Sequence, residues 1–367
     1  MKKQWIVLTL AVVSALLYVG CKKTQPQPQP QAETSTPAES TKEVQPAAPA
    51  QPTEVIKLTY ANFPPAPTFP CVQMERWKTE VEKRTNNKVT VQTFPGGSLL
   101  DAKEMMDGVI NGQADIGCLC MAYQPGRFIV TNAAALPLGI PSAKVGSQVL
   151  FDLYTKYKPE EFAKVKVLTM FTTAPANIMS KKPVRTLDDL KGMNLRASGE
   201  AAQILKAWGA NQVGMPMSAT PEALQKGVVD GLFSSVEVMK DFKYAELCKY
   251  ITMTETNIYP FAVVMNQKKW DALPEDIKKV FDEMAVEQCV WTGEYMDNHV
   301  KESVEWSKTD QKVEVITLSS EELAKWNALL ESNTQAWLKQ ANDAKLQGDQ
   351  ILADVKALIA KYSTPAK

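Results

Sequence analysis

The sequence predicts an α/β protein of two lobes, on three observations: strand and helix periodicities alternate from Ile56 onward, the chain beyond residue 55 is too long for one core, and a short segment occurs twice. The alternation opens with Ile56, Leu58 and Tyr60 set against Lys57 and Thr59, a period-2 strand. A proline-rich turn, Phe63 to Pro70, leads into a helix in which Met74, Trp77 and Val81 recur at helical spacing until Thr85, Asn86 and Asn87. Val89 to Phe94 reads as a second strand, closed by Pro95, Gly96 and Gly97.

A helix from about Asp101 to Ile110 leads through Gly112 to a strand at Ala114 to Cys120. Val165 to Phe171 and Met193 to Arg196 continue the plan. Such alternation predicts mostly parallel sheets with helices on both faces. The repeated segment is Val109 to Ile116 and Leu224 to Gly231. Each copy has an apolar residue, a glycine three later and an aspartate three after that, so a helix ends on glycine and the chain re-enters a strand. Ligands in such sheets bind beyond the carboxyl ends of strands, so two lobes set two such rims opposite each other.

Phe261 to Met265 is a continuous apolar run, expected as a strand buried on both faces. From Pro274 to Trp306 the pattern is helical, long enough to cross both lobes as a brace. A strand at Val313 to Leu318 follows, then Ser319, Ser320, Glu321 and Glu322 as a helix start, with helix to Lys361. The expected division is 1–20 as a signal peptide and 21–55 as a lipidated cysteine with a linker. Residues 56–174 plus 261–300 form one lobe, and 175–260 plus 301–367 the other with the C-terminal helices.

Lys2 and Lys3, an apolar run from Trp5 to Leu17 and small residues before a cysteine have the order of a secretory signal. The run is short of the about 20 residues that a membrane span needs. Leu17 to Cys21 resembles the bacterial lipobox, which implies lipidation of Cys21. An ordinary signal peptide would favour A-x-A and give no reason for the cysteine. Lys22 to about Val55 is Gln, Pro, Thr, Ala and Glu with almost no large apolar residue, which predicts a disordered tether reaching roughly 30 Å as a coil and roughly 100 Å as a stiff chain. The expected place of work is the periplasm or outer face of the cytoplasmic membrane, with the membrane engaged through the anchor.

Without Lys2 and Lys3 the chain has 39 basic against 41 acidic residues, so no basic field exists for nucleic acid. Histidine occurs once, at His299, which weighs against triads, zinc sites and imidazole acid-base pairs. His299 is read as a surface or packing residue on the long helix. Five cysteines follow Cys21, with Cys118 and Cys120 alternating on one strand face. They are read as buried free thiols with no metal site, one long-range disulfide being left open. No enzyme constellation of nucleophile, base and orienter is present, and no cofactor is implied.

Five stretches together resemble the DctP family, the solute-binding proteins of tripartite ATP-independent periplasmic (TRAP) transporters: Trp77 to Val91, Phe94 to Leu100, Pro183 to Arg196, Leu224 to Gly231 and Ala262 to Phe281. The resemblance implies a type II-like periplasmic-binding-protein fold, two α/β lobes that close by a hinge over a small organic acid and hand it to a membrane permease. It places Arg196, at the end of LKGMNLR, where the family grips a substrate carboxylate. The sequence agrees, since Arg196 is out of step with Met193 and Leu195 and emerges at a strand end, and guanidinium offers paired donors to a carboxylate.

In sialic-acid-binding members, an asparagine contact falls at Ser234, a second arginine near Ala176 and Asn177, and a ligand-packing aromatic at Met217. These departures imply a smaller or less polar monocarboxylate, apolar or aromatic. Phe63, Phe233 and Met217 are then expected as walls and Asn177, Ser234 and Ser235 as hydrogen-bond donors, while Tyr123 follows a strand end and reaches the cleft. Glu237 is assigned to the hinge or surface, with pairing to a ligand amine as its other reading. The rival function is a sensor in which the same lobes report ligand to a signalling receptor.

Overall fold

The computed structural model describes residues 55–364. Cys21, the leader expected before it and the linker expected after it, up to residue 54, lie outside the described residues. In chain order the strands are β1 (Ile56–Asn62), β2 (Val89–Phe94), β3 (Ile116–Cys120), β4 (Val165–Thr172), β5 (Asn177–Ser180), β6 (Asn194–Ala197), β7 (Asn211–Gly214), β8 (Gly231–Ser234), β9 (Tyr250–Met253), β10 (Pro260–Asn266) and β11 (Glu314–Thr317). They form a five-stranded sheet, β2-β1-β3-β10-β4, and a six-stranded sheet, β11-β9-β5-β8-β6-β7. Each sheet with its helices is one lobe.

The two sheets share one plan. In the first, β1 runs parallel to β2 and β3, and β10 is antiparallel to β3 and β4. In the second, β6 runs parallel to β7 and β8, and β5 is antiparallel to β8 and β9. The expectation of mostly parallel sheets is therefore corrected to mixed ones. The physical reason is that β5 and β10 enter directly from the other lobe, without a returning helix, and so arrive from the opposite end of the sheet.

The repeated segment is what starts the equivalent strands β3 and β8. Gly112 and Gly227 follow their helices with φ of 77° and 71°, a conformation that costs glycine no Cβ clash. Asp115 Oδ2 then accepts from the backbone N–H of Thr59 at 2.9 Å, and Asp230 Oδ2 from that of Asn194 at 2.9 Å. In both lobes the aspartate ties the incoming strand to its parallel neighbour.

β10 is buried along its whole length, as the apolar run predicts, and sits between β3 and β4. The predicted brace is the helix Glu275–Thr309, about 50 Å at 1.5 Å per residue. Its first half packs on the helix Phe69–Arg84, where Gln288 Nε2 donates to Gln73 O at 2.9 Å, and on the helix Ala143–Tyr157. Asp297 caps that second helix, accepting from Ala143 N and Lys144 N at 2.7 and 3.1 Å, where a carboxylate meets the positive end of the dipole. Toward its C-terminal end the brace reaches the second lobe through His299 and Asp241.

The C-terminal helices were expected with the second lobe, and the structure differs. Trp326 of the helix Ser320–Ala328 packs on Trp208 of the second lobe, centroids 4.8 Å apart. Trp337, one helix later, donates to Ile129 O of the first lobe at 2.9 Å. The last helix, Gly348–Ser363, lies on Ala143–Tyr157, with Tyr362 donating to Asp152 at 2.6 Å. Their amphipathic pattern specified an apolar face without specifying which lobe would cover it.

Two extended segments, Thr173–Ala176 and Thr254–Tyr259, join the lobes side by side. Thr173 N donates to Tyr259 O at 3.1 Å and Ala176 N to Asn257 O at 2.7 Å. The five cysteines Cys71, Cys118, Cys120, Cys248 and Cys289 are buried and free. Burial pushes Cys71 and Cys120 up to about 12, so both stay protonated at neutral pH. No group of ligating side chains suited to a metal ion occurs among the described residues.

Candidate anion-binding cavity between the lobes

The parallel strands of both lobes end at one cavity. Phe63 follows β1, Tyr123 follows β3, Arg196 is the third residue of β6 and Ser234 the last of β8. All four line a cavity of about 40 Å³.

Arg196 dominates its chemistry. The side chain is 1 % exposed. Nε and Nη2 donate to Met215 O at 3.0 and 2.8 Å, and Nη2 also reaches Tyr123 Oη at 3.2 Å and Ser198 Oγ at 3.3 Å. Every one of these partners is neutral, no carboxylate among the described residues pairs with the guanidinium, and Nη1 has no acceptor there. A buried charge without a counter-ion is costly, and guanidinium does not shed its proton to escape the cost.

The walls beside Arg196 are aromatic. Phe261 stacks near Phe63, centroids 6.3 Å apart and planes at 12°, and meets Phe69 edge-on at 5.6 Å. Tyr123 meets Phe63 edge-on at 5.4 Å. Tyr259, from the joining segment, donates to Phe233 O at 2.7 Å and so ties the first lobe's edge to β8. Burial pushes the Tyr123 phenol up to about 12, keeping it a neutral donor.

Glu237 and Asp241 also line the cavity. Glu237 is buried and accepts a short hydrogen bond from Ser235 Oγ. Burial holds its carboxyl up at about 8, against the lowering effect of the Ser235 bond and with a smaller rise from the neighbouring Asp241. Asp241 Oδ1 lies 2.7 Å from His299 Nε2, and that bond raises the imidazole above its usual value. The hinge-or-surface assignment of Glu237 is thus corrected to a buried cavity wall. His299 is a packed residue, 11 % exposed in its side chain, rather than a surface one.

Of the residues singled out in the sequence, the cavity brings together Phe63, Tyr123, Arg196, Met217 and Ser234. Three stand elsewhere. Asn177 Oδ1 accepts from Thr254 N and Glu255 N at 2.7 and 3.0 Å while Nδ2 donates to Pro175 O, so its polar atoms hold the joining segments. Phe233 is fully buried against Trp208, 5.2 Å between centroids, because its side chain takes the core face of β8. Ser235 supports Glu237 from behind. Sequence reasoning missed Phe69, Tyr259, Phe261 and Asp241. For Asp241 a signal existed in its position four residues after Glu237, which sets both on one helical face.

Two lobes of common plan, joined by paired extended segments and enclosing a cavity beside a buried guanidinium, define a two-lobed binding protein for small organic ligands. The chain belongs to the DctP family, described as bacterial extracellular solute-binding protein, family 7, which it matches over residues 64–340. It is a solute-binding protein of the TRAP type, a family that binds small organic ligands and works with membrane permease components.

A TRAP periplasmic solute-binding protein from Desulfovibrio salexigens is 54% identical, with 85% of this chain and 98% of that one covered and a TM-score of 0.76. It was solved as an open complex with the C-terminus of a symmetry mate in its ligand-binding site. A marine metagenome TRAP solute-binding protein specific for aromatic acid ligands, in complex with 3-hydroxybenzoate, is 30% identical over 84% of this chain and 99% of that one, TM-score 0.81. The C4-dicarboxylate-binding protein DctB of Bacillus subtilis is 25% identical over 261 residues, 67% of this chain and 72% of its own. No helix among the described residues is long and apolar enough to cross a membrane.

Proposed function

We propose that this protein captures a small aromatic or apolar monocarboxylate by its carboxylate and delivers it to a TRAP permease. The observation that carries the reading is Arg196, buried to 1 % exposure among neutral partners. One carboxylate supplies the missing counter-charge, with Nη1 of the guanidinium as the donor left for it. Phe63, Phe69 and Phe261 suit the ring or chain behind it. The 30%-identical relative specific for aromatic acids, and the 25%-identical Bordetella bronchiseptica protein with bound mandelate, support the same ligand class. Lobe closure follows from ligand contacts to both lobes, which favour the closed state by their differential affinity. Anchoring through Cys21 would keep the protein beside its permease.

Mass spectrometry of the acid that co-purifies with the protein identifies the ligand. Calorimetry with that acid then tests the carrier. Arg196→Ala weakens binding by on the order of thirtyfold or more, because loss of one partner of a desolvated charge pair costs about 2–5 kcal/mol. Unchanged affinity removes Arg196 from the site.

A further inference from the structure

Building on the aromatic monocarboxylate reading, we propose that Asp241, backed by Glu237 and His299, is a subsite that binds a hydroxyl group of the ligand and so selects hydroxylated acids over their unsubstituted parents.

Asp241 is the residue with an unspent valence. Its side chain is 4 % exposed. Oδ1 is taken by His299 Nε2 at 2.7 Å, while Oδ2 is buried and has no hydrogen-bond partner. The residue lines the same cavity as Arg196 and makes no ion pair with it. An unsatisfied buried acceptor is costly, and a ligand bringing a donor to that oxygen recovers the cost while a ligand lacking one does not. The same asymmetry lets a site built to hydrogen-bond a substrate hydroxyl reject the analogue without it.

Charge accounting selects the kind of donor. Asp241 Oδ1 is already engaged by His299 Nε2 at 2.7 Å, a hydrogen bond that raises the imidazole above its ordinary value. Glu237 holds its proton at neutral pH, because burial raises it to about 8. Arg196 has only neutral partners, and a single carboxylate neutralises it. A ligand ammonium would restore a surplus positive charge, and a second carboxylate would be set against Asp241. The neutral O–H of a hydroxy monocarboxylate fits both ends.

Calorimetry on the purified protein at pH 7, with benzoate, 3-hydroxybenzoate, 4-hydroxybenzoate and succinate, tests this. At least one hydroxybenzoate is expected to bind about tenfold tighter than benzoate, with succinate weakest. In Asp241→Asn, the ratio of hydroxybenzoate to benzoate affinity should collapse toward one, and the ratio cancels any general loss of binding. Equal affinities of benzoate and both hydroxybenzoates for the wild type overturn the subsite while leaving the monocarboxylate reading intact. So does an Asp241→Asn protein that keeps the full preference. If succinate binds and none of the three aromatic acids does, the monocarboxylate reading falls and the subsite with it. The wild-type comparison decides the matter even if the variant does not fold.

Discussion

Tyr123 Oη accepts two hydrogen bonds from the opposite lobe, from Arg196 Nη2 at 3.2 Å and from Met217 N at 3.0 Å. Both lone pairs are thereby used, and the phenolic proton is the one valence left for a ligand. The residue is at once a strap between lobes and a donor into the cavity.

Tyr123→Phe should therefore weaken acid binding by about tenfold, the loss of one hydrogen bond to a charged group, about 1.5 kcal/mol. The aromatic packing on Phe63 remains, so the fold persists. Calorimetry reads the affinity, and small-angle scattering of the unliganded variant should show a larger radius of gyration as the strap is lost.

Gly199 provides a steric test of the same interface. Its φ is +56°, and a Cβ added there would lie 2.8 Å from Ala122 Cβ of the first lobe. Gly199→Ala thus combines backbone strain of about 1–3 kcal/mol with a clash that only separation of the lobes relieves. Binding should weaken by at least tenfold, and scattering should shift toward the open form. A variant that binds like wild type would show that closure tolerates a wider gap.

Stability should fall as pH rises from 5 to 8. Glu237 holds its proton up to about 8 in the native state against an ordinary value of 4.5, so between these values the native form binds a proton that the unfolded chain has released. Stability then declines with pH across that window and levels above 8. His299 adds to the slope, because its value is raised by the Asp241 hydrogen bond and its contribution, full below 6.5, is lost as pH rises through the raised value. Melting temperatures followed by circular dichroism should show the decline, and Glu237→Gln should flatten it.

Phe261 belongs to core and cavity together, stacking on Phe171 at 5.2 Å as well as facing Phe63. Phe261→Ala should cost about 3–5 kcal/mol in chemical denaturation.

Much of the scaffold was legible because it rests on local pattern. The apolar run Phe261 to Met265 marked a central strand, and the glycine and aspartate of Val109 to Ile116 and Leu224 to Gly231 marked two equivalent strand entries. Arg196 was legible through the stretch around it. What stayed hidden depends on long-range placement. The partner of His299 is 58 residues away in sequence, so nothing near it announced Asp241. Phe69 and Phe261 are separated by nearly two hundred residues and look like ordinary core. Asn177 has the chemistry of a ligand donor, yet β5 begins where its side-chain carbonyl is needed by Thr254 and Glu255.

That use of Asn177 bears on how the protein moves. The chain passes between lobes through two segments bonded to each other, a third time along the helix Glu275–Thr309, and a fourth time between the helices that carry Trp326 and Trp337. Several attachments restrict one body relative to another more severely than any single linker. Sliding and free twisting are suppressed, and what remains is rotation about one line, like a book turning on its spine. Tyr123 and Arg196, on facing pages, must then meet in the same register each time the protein shuts.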